Sequence, residues 1–444
     1  MNGPVLDVYV DSKLVGTLTE EAGSGVFTYL PDVSAESLVS LLMPVRAESY
    51  VWKKGLHPFF QMNLPEGYKK DRIRETLGPH ADVTDMGLLA LTGANSIGRV
   101  QVVPRGTLPG AAGGNVKMSD LLASTDSREN LLQLMDEGVA QGISGVMPKA
   151  LSKPGEKATV WTEEFILKTG FDDIPWLSVN EYLCLEVARQ AGLEVPETRL
   201  SDDGQVLAIG RFDRTKDGKW LAVEDYCALK GLDPLEKYRK GTLEDLAKLT
   251  QEFSPGDNVK DSARKLFTLH LLNIALRNAD AHLKNFAVTY TSAKDVRLAP
   301  VYDIVTVTVY PRYRTNLPAL PLYGKRVWAS GKALVRYGGA WLGLTTADMT
   351  DSVERVTAAV QGVLPLVREC ADRFPGFQDV AKRMLDEWAQ GLDDIRPDAK
   401  PGKSSPSPTP LRDQAGFSDS NGPERRKETN PYASPDGPFS HKTR

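Results

Sequence analysis

What this chain lacks narrows its class before anything it contains. Its 444 residues include three cysteines, Cys184, Cys227 and Cys370, far apart and in no C-x-x-C pair. That argues against a disulfide scaffold and a zinc knuckle, and it fits a reducing compartment. Only five histidines occur, none at metal-ligand spacing. Basic residues do not outnumber acidic ones (54 against 58, formal net charge −4), so there is no global basic footprint for nucleic acid. Contact with DNA would need a local patch or a partner. No apolar run reaches the roughly 18 residues of a membrane span. The first residues, Met1-Asn2-Gly3-Pro4-Val5-Leu6-Asp7, lack the basic and apolar regions of a signal peptide. A cytoplasmic protein without membrane contact is expected. No GxxxxGK[ST] sequence is present, which removes the Walker A type of phosphate loop.

What remains is the composition of a soluble globular protein, 41% hydrophobic and 25% charged, long enough for about three domain-sized units. Residues 5–10 and 14–18 read as a β-hairpin around Asp11-Ser12, and Ser34 to Met43 as a short helix with Leu38, Leu41 and Leu42 on its apolar face. Pro104 to Gly114 reads as a linker. Strand-like runs follow at Trp161–Lys168, Val206–Phe212 and Trp220–Val223. Between them a helix opens on Ser178-Val179-Asn180-Glu181, the pattern of a capping box, with Gly192 placed to end it. From about Asp225 the pattern turns helical, most strongly at Leu243–Thr250 and Asp261–Leu276, then near Asp351–Phe374 and Gln378–Leu392. Phe286–Tyr290 and Val296–Pro300 suit a short hairpin. Beyond about Arg396 the Pro-, Ser- and Gly-rich composition predicts a disordered tail.

The chemistry concentrates in Asn278-Ala279-Asp280-Ala281-His282-Leu283-Lys284-Asn285, directly after the apolar helix, and in Val301-Tyr302-Asp303 downstream. Asp280 and Asn285 have the spacing of a protein-kinase catalytic loop, in which the Asp is the base and the Asn holds Mg²⁺. Asp303 is a candidate second metal ligand. Alone, the same residues also suit turns and caps. Lys168 ends a strand-like run, where it can aim at phosphates or be a solvated strand-end lysine. Glu181 can pair with it, but the capping box already accounts for that residue and is preferred. The small-residue loop Gln141–Lys149, with Ser144, Gly145, Val146 and Lys149, either covers phosphates or merely connects. Glu224-Asp225-Tyr226-Cys227 joins the β-rich and helical halves, as a hinge facing adenine or as a plain connector. Arg211-Phe212-Asp213-Arg214 reads as a surface ion-pair cluster, and His282 as a residue that holds the loop.

The ordered set of these pieces resembles the HipA family of bacterial serine/threonine kinases, toxins of type II toxin–antitoxin modules. It comprises Met43-Pro44, His57-Pro58-Phe59-Phe60, Leu64-Pro65-Glu66-Gly67, Ser144 to Lys149, Lys168, Asn180-Glu181-Tyr182, Arg211 to Arg214, Glu224-Asp225, Asn278 to Phe286, and Pro300-x-Tyr302-Asp303. The similarity spans about residues 5–390. It implies an α+β, two-lobed kinase-like fold: an extra N-terminal subdomain (1–105), a β-rich N-lobe (106–225), a helical C-lobe (226–395) and a tail (396–444). It further implies ATP and Mg²⁺ as cofactors, with Asp280 as base and Asn285 and Asp303 as Mg²⁺ ligands. Lys168 would meet the ATP phosphates and the Glu224–Cys227 backbone adenine, with Ser144, Gly145, Val146, Lys149, His282 and Lys284 completing the nucleotide site. The implied substrate is an aminoacyl-tRNA synthetase. The implied partners are a HipB-like helix-turn-helix antitoxin and, through it, operator DNA. The autophosphorylated loop serine of the founding member aligns with Gly142, and Ser144, two residues on, is the candidate here. Two other readings stay open: a non-catalytic partner of a DNA-binding antitoxin, and a small-molecule kinase.

Overall fold

In the computed structural model, residues 4–65, 82–109, 118–140, 158–162, 164–215, 217–399 and 410–417 are described. The chain forms an α+β, two-lobed kinase-like fold, β-rich in its N-terminal part and helical in its C-terminal part. The expected first hairpin is β1 (Leu6–Val10) and β2 (Lys13–Glu21). Its two-residue turn has Asp11 and Ser12 both at positive φ, 49° and 62°, which matches the twist of the flanking strands. With β3 (Ser24–Tyr29), β4 (Tyr50–Trp52) and β5 (Val100–Pro104) these strands make an antiparallel sheet in the order β4-β3-β2-β1-β5. Helices α1 (Pro58–Gln61) and α2 (Asp85–Thr92) belong to the same part of the chain, and Leu6, Val8, Phe27, Phe60, Leu88 and Val102 share its core.

The segment Ser34–Met43 is not the expected helix. Only Ala35–Ser37 makes a 3₁₀ turn, and Leu38 is already extended. Its amides are taken by distant partners: Val39 donates to the Tyr29 hydroxyl and Leu41 to the Glu224 carboxylate. Tertiary bonds have outcompeted the helical ones.

Helices α3 (Met118–Leu122) and α4 (Ser127–Ala140) lead to a second sheet, ordered β6-β7-β9-β8. The run expected as one strand is two, β6 (Ala158–Trp161) and β7 (Phe165–Thr169), reversing at Thr162. β8 (Thr198–Leu200) and β9 (Leu207–Gly210) complete the sheet. Behind it lies α5 (Leu177–Gln190), buried along most of its length. The predicted capping box does not form, because the helix begins one residue earlier, from Trp176 at φ 60°. Ser178 is therefore inside the helix, and its hydroxyl donates to the Gln205 carbonyl at 2.8 Å.

A third sheet, β10 (Ala222–Asp225), β11 (Ala287–Tyr290) and β12 (Arg297–Leu298), holds the junction between lobes, and its last two strands are the expected second hairpin. The short α6 (Tyr226–Leu229) follows β10. The helical lobe is α7 (Leu243–Phe253), α8 (Asn258–Ala275), α9 (Lys332–Leu342), α10 (Thr346–Arg373) and α11 (Gln378–Ile395). True capping boxes open α7, from Thr242 and Asp245, and α10, from Thr345 and Asp348. α8 is buried from Leu266 to Ala275, which gives the following loop a rigid base.

Part of the expected tail is structured. α12 (Leu411–Gln414) packs on α11, with Leu411, Ala415 and Phe417 buried, Arg412 paired with Asp386, and Arg368 donating to the Gly416 carbonyl. Three apolar side chains in eight residues suffice once a prepared groove receives them, a match that composition alone does not reveal. Among the described residues no helix is long and apolar enough to cross a membrane.

Candidate active site

A cleft of about 220 Å³ opens where the three sheets and the helical lobe meet. Ile166 and Lys168 of β7, Ile209 of β9, Phe212, Val223 and Asp225 of β10, and Ala287 of β11 line it. Lys284, Tyr302 and Asp303 come from the loops of the helical lobe, and Met62, Asn63 and Ile97 from the N-terminal subdomain. One wall is apolar, with Phe212 stacked on Tyr302 at 5.4 Å, and the polar groups gather at one end. A flat heterocycle with a charged tail fits that division.

Lys168 is the centre of the polar end. Its ammonium is 2.5 Å from Glu181 Oε1 and also pairs with Asp303 Oδ1. The Lys168 and Glu181 side chains are only 8% and 1% exposed. Glu181 is therefore the ion-pair partner of Lys168 and not a helix cap. The buried ammonium needs a counter-charge, and the Glu181 carboxylate on the first turns of α5 supplies it. Sequence reading had considered this partner and preferred the cap.

Asp303 has a left-handed backbone, φ 55°, and Arg277 another, φ 53°. Such non-glycine residues cost about 1–3 kcal/mol each and persist where their surroundings over-determine them. Here the Asp303 carbonyl accepts from both Asn278 Nδ2 and Asn285 Nδ2, each at 3.4 Å, while its carboxylate meets Lys168. Arg277 forms an ion pair with Asp394, and its carbonyl accepts from the Val307 amide. Asn278 Oδ1 in turn accepts the Asp280 amide at 3.2 Å. Asp280, Asn285 and Asp303 are thus joined through one asparagine that sequence reading had used only as a family marker.

The Asp280 carboxylate accepts a hydrogen bond from the Tyr238 hydroxyl at 2.8 Å. Tyr238 was missed altogether, since a contact spanning 42 residues leaves no local pattern. Its ring meets that of His282 edge-on at 4.8 Å, so His282 holds the loop, as expected. Lys284 lines the cleft and donates to the Met62 carbonyl at 2.9 Å, tying the N-terminal subdomain to it. Asn285 Oδ1 is buried and has no hydrogen-bond partner among the described residues. With the Asp303 carboxylate it offers the hard oxygen donors that suit Mg²⁺, and an orphaned buried oxygen is what such an ion would satisfy.

The junction residues behave unequally. Asp225 faces the cleft and caps α6 through the Ala228 amide. Glu224 points the other way, fully buried, and accepts from Ser40 Oγ, the Leu41 amide and the Tyr290 hydroxyl. Burial lifts its carboxyl to about 7 against the pull of those donors. The Tyr226 amide is used by the Phe286 carbonyl and the Cys227 carbonyl by the Leu232 amide, so neither is available to a base. Arg211 and Asp213 are not a surface cluster but a buried pair 2.5 Å apart, 4% and 0% exposed. Asp213 also accepts the Gly98 amide at 2.8 Å and Arg211 donates to the Ser96 carbonyl, which clamps the N-terminal subdomain to the lobe. Gly98, at φ 93°, leaves no room for a Cβ, which would stand 3.1 Å from the Val223 amide nitrogen. Ser144, Gly145, Val146 and Lys149 lie outside the described residues.

Comparison with known proteins gives a consistent answer. Residues 6–103 match the HipA N-terminal domain and residues 141–364 the HipA-like C-terminal domain. A Sinorhizobium fredii protein named "Putative kinase Y4mE" is 27% identical over 403 residues, covering 81% of this chain and 92% of the relative. A second from that organism, "Putative kinase Y4dM", is 28% identical over 421 residues, covering 88% and 95%. The HipA of Shewanella oneidensis MR-1, solved with HipB and operator DNA, has the same fold. Its TM-score is 0.64 at 17% identity, over 88% of this chain and 97% of that one.

Proposed function

Because the chain belongs to the HipA family, we propose that it is an ATP- and Mg²⁺-dependent serine/threonine-protein kinase that slows growth by phosphorylating an aminoacyl-tRNA synthetase. The observation that carries the catalytic part is the convergence of Lys168, Glu181 and Asp303 with the Asp280–Asn285 loop at one end of an apolar interlobe cleft. Adenine would lie against Ile166, Ile209, Val223, Phe212 and Tyr302, its phosphates toward Lys168. Asn285 and Asp303 would hold Mg²⁺, which when bound neutralises phosphate charge. Lys168, kept in place by Glu181, adds a second positive charge there. The Asp280 carboxylate, oriented by Tyr238, takes the proton of a serine or threonine hydroxyl whose oxygen attacks the γ-phosphorus. The bond from that phosphorus to the β–γ bridging oxygen breaks, and ADP leaves.

A HipB-like helix-turn-helix antitoxin as partner, with operator DNA reached through it, is supported by the Shewanella protein's assembly with HipB and operator DNA. Autophosphorylation of Ser144 would be the built-in brake. The test is Asp280→Ala, since losing a general base costs about 10²–10⁴ in rate. Transfer of ³²P from ATP and growth arrest should both vanish, and phosphoproteomes of cells expressing each form should differ at the substrate. Full activity in the variant would refute the assignment, and ATP binding without any labelled protein would favour the non-catalytic reading. Phosphopeptide mapping after incubation with ATP reports on Ser144.

A further inference from the structure

Residues 304–347, which follow Asp303, contain no aspartate or glutamate but carry Arg312, Arg314, Lys325, Arg326, Lys332 and Arg336. This occurs in a chain whose acidic residues outnumber its basic ones, 58 to 54. The segment comes back to the catalytic loop at a tight turn. Leu322 and Lys325 exchange backbone hydrogen bonds, each 3.0 Å, around Tyr323 and Gly324 at φ 51° and 70°. Arg326, next in line, donates to the carbonyls of Ala319 and Tyr238. Tyr238 is the residue whose hydroxyl holds Asp280, and the neighbouring Lys237 carbonyl accepts the Leu283 amide from the same loop. Two basic stretches, Lys237 to Lys240 and Lys325-Arg326, therefore meet beside Asp280.

Lys240 is paired with Glu236, and Arg326 is spent on carbonyls. Arg239 and Lys325 are exposed and make no ion pair among the described residues. Exposed aliphatic side chains, Leu235 beside the first stretch and Leu317 and Val327 beside the second, add an apolar component. Fold stability does not account for uncompensated positive charge here.

We infer that this rim docks an acidic polypeptide segment flanking the hydroxyl that receives phosphate. The inference rests on the protein-kinase reading for its occupant, because a protein substrate must present its chain beside Asp280. Opposite charge steers and registers such a segment, and Leu317 and Val327 suit peptide contacts. RNA would be expected to find free aromatic faces for stacking, whereas the Tyr238 ring is taken by His282.

Fluorescence anisotropy on the full-length protein reads binding without requiring turnover. The probes are a serine peptide flanked by glutamates, its lysine-flanked counterpart, and a single-stranded RNA of equal length. The glutamate peptide should bind at least tenfold tighter than the lysine peptide and weaken as salt rises. The double variant Arg239→Glu with Lys325→Glu should lose about tenfold, and the milder Arg239→Gln with Lys325→Gln about threefold. ATP affinity should stay within about twofold in both, a check on folding. Equal binding of the two peptides, indifference to both double variants, or RNA bound tighter than the glutamate peptide would overturn the inference. Phosphate transfer to the same peptides separates the two claims. Charge-dependent binding without transfer sinks the kinase reading and leaves the rim standing, whereas transfer without charge preference does the reverse.

Discussion

Replacing Glu181 by glutamine tests the site at its least exposed point. The carboxylate is almost wholly buried, 2.5 Å from the Lys168 ammonium, and its second oxygen, Oε2, has no hydrogen-bond partner among the described residues. Removing one partner of a buried ion pair typically costs about 3–5 kcal/mol, because the remaining charge is left uncompensated. Asp303 still faces Lys168, and glutamine keeps an acceptor, so a loss nearer 2–3 kcal/mol is expected, at the lower edge of that range. The kinetic effect should be larger than the stability effect suggests. With Glu181 neutral, Lys168 is drawn toward Asp303, and a displacement of about 1 Å can cost about 10²-fold in rate. Denaturant unfolding and ³²P transfer, run on Glu181→Gln and Ser178→Ala side by side, distinguish the pair from a helix cap. The pair requires Glu181→Gln to lose about 10–100-fold in kcat/KM while Ser178→Ala keeps its activity. If Glu181→Gln retained wild-type turnover and stability, the reasoning about Lys168 would be wrong.

Three further predictions concern neighbouring features. Tyr238→Phe removes a hydrogen bond to a charged acceptor, worth about 1.5–3 kcal/mol, and should lower kcat about tenfold or more with little change in the KM for ATP. Steady-state kinetics checks it, and an unchanged kcat counts against a positioning role. Glu224, lifted by burial to about 7, binds its proton more tightly folded than unfolded. Its contribution to stability is whole below about pH 4.5 and is lost as pH rises through about 7, a change of about 3 kcal/mol. Urea unfolding at pH 5 and pH 7.5 should show that decline, and Glu224→Gln should flatten it. Phe417→Ala deletes a buried aromatic from the α12 contact, where full burial would set the cost at about 3–5 kcal/mol. Because such a short segment can detach locally, proteolysis between α11 and α12 should rise while the melting temperature falls little.

The sequence made legible those parts of the site whose residues sit close together on loops. Asp280 and Asn285 share one short segment behind a helix with an unmistakable apolar pattern, and Asp303 follows the hairpin that begins there. Lys168 stood out for ending an apolar run. Glu181 was visible but misread, because Ser178-x-x-Glu181 has the form of a cap, and only the start of α5 at Trp176 decides against it. Ser34–Met43 was taken for a helix because its leucines have helical spacing, yet its amides are claimed by Tyr29 and Glu224. Arg211 and Asp213 looked like surface charges, since nothing local announces that Ser96 and Gly98 will close over them. Each of these misreadings involves a partner more than a few residues away in sequence.

Met62, Asn63 and Ile97 reach the nucleotide cleft from the N-terminal subdomain, and Lys284 is tied to the first of them. The consequence is thermodynamic reciprocity between two remote surfaces. Any protein that grips the first sheet and shifts the Met62 carbonyl changes the affinity of the cleft for its nucleotide. The nucleotide must then change the affinity of that protein by the same factor. Comparing partner affinity with and without nucleotide would therefore reveal the coupling even if no phosphate were ever transferred.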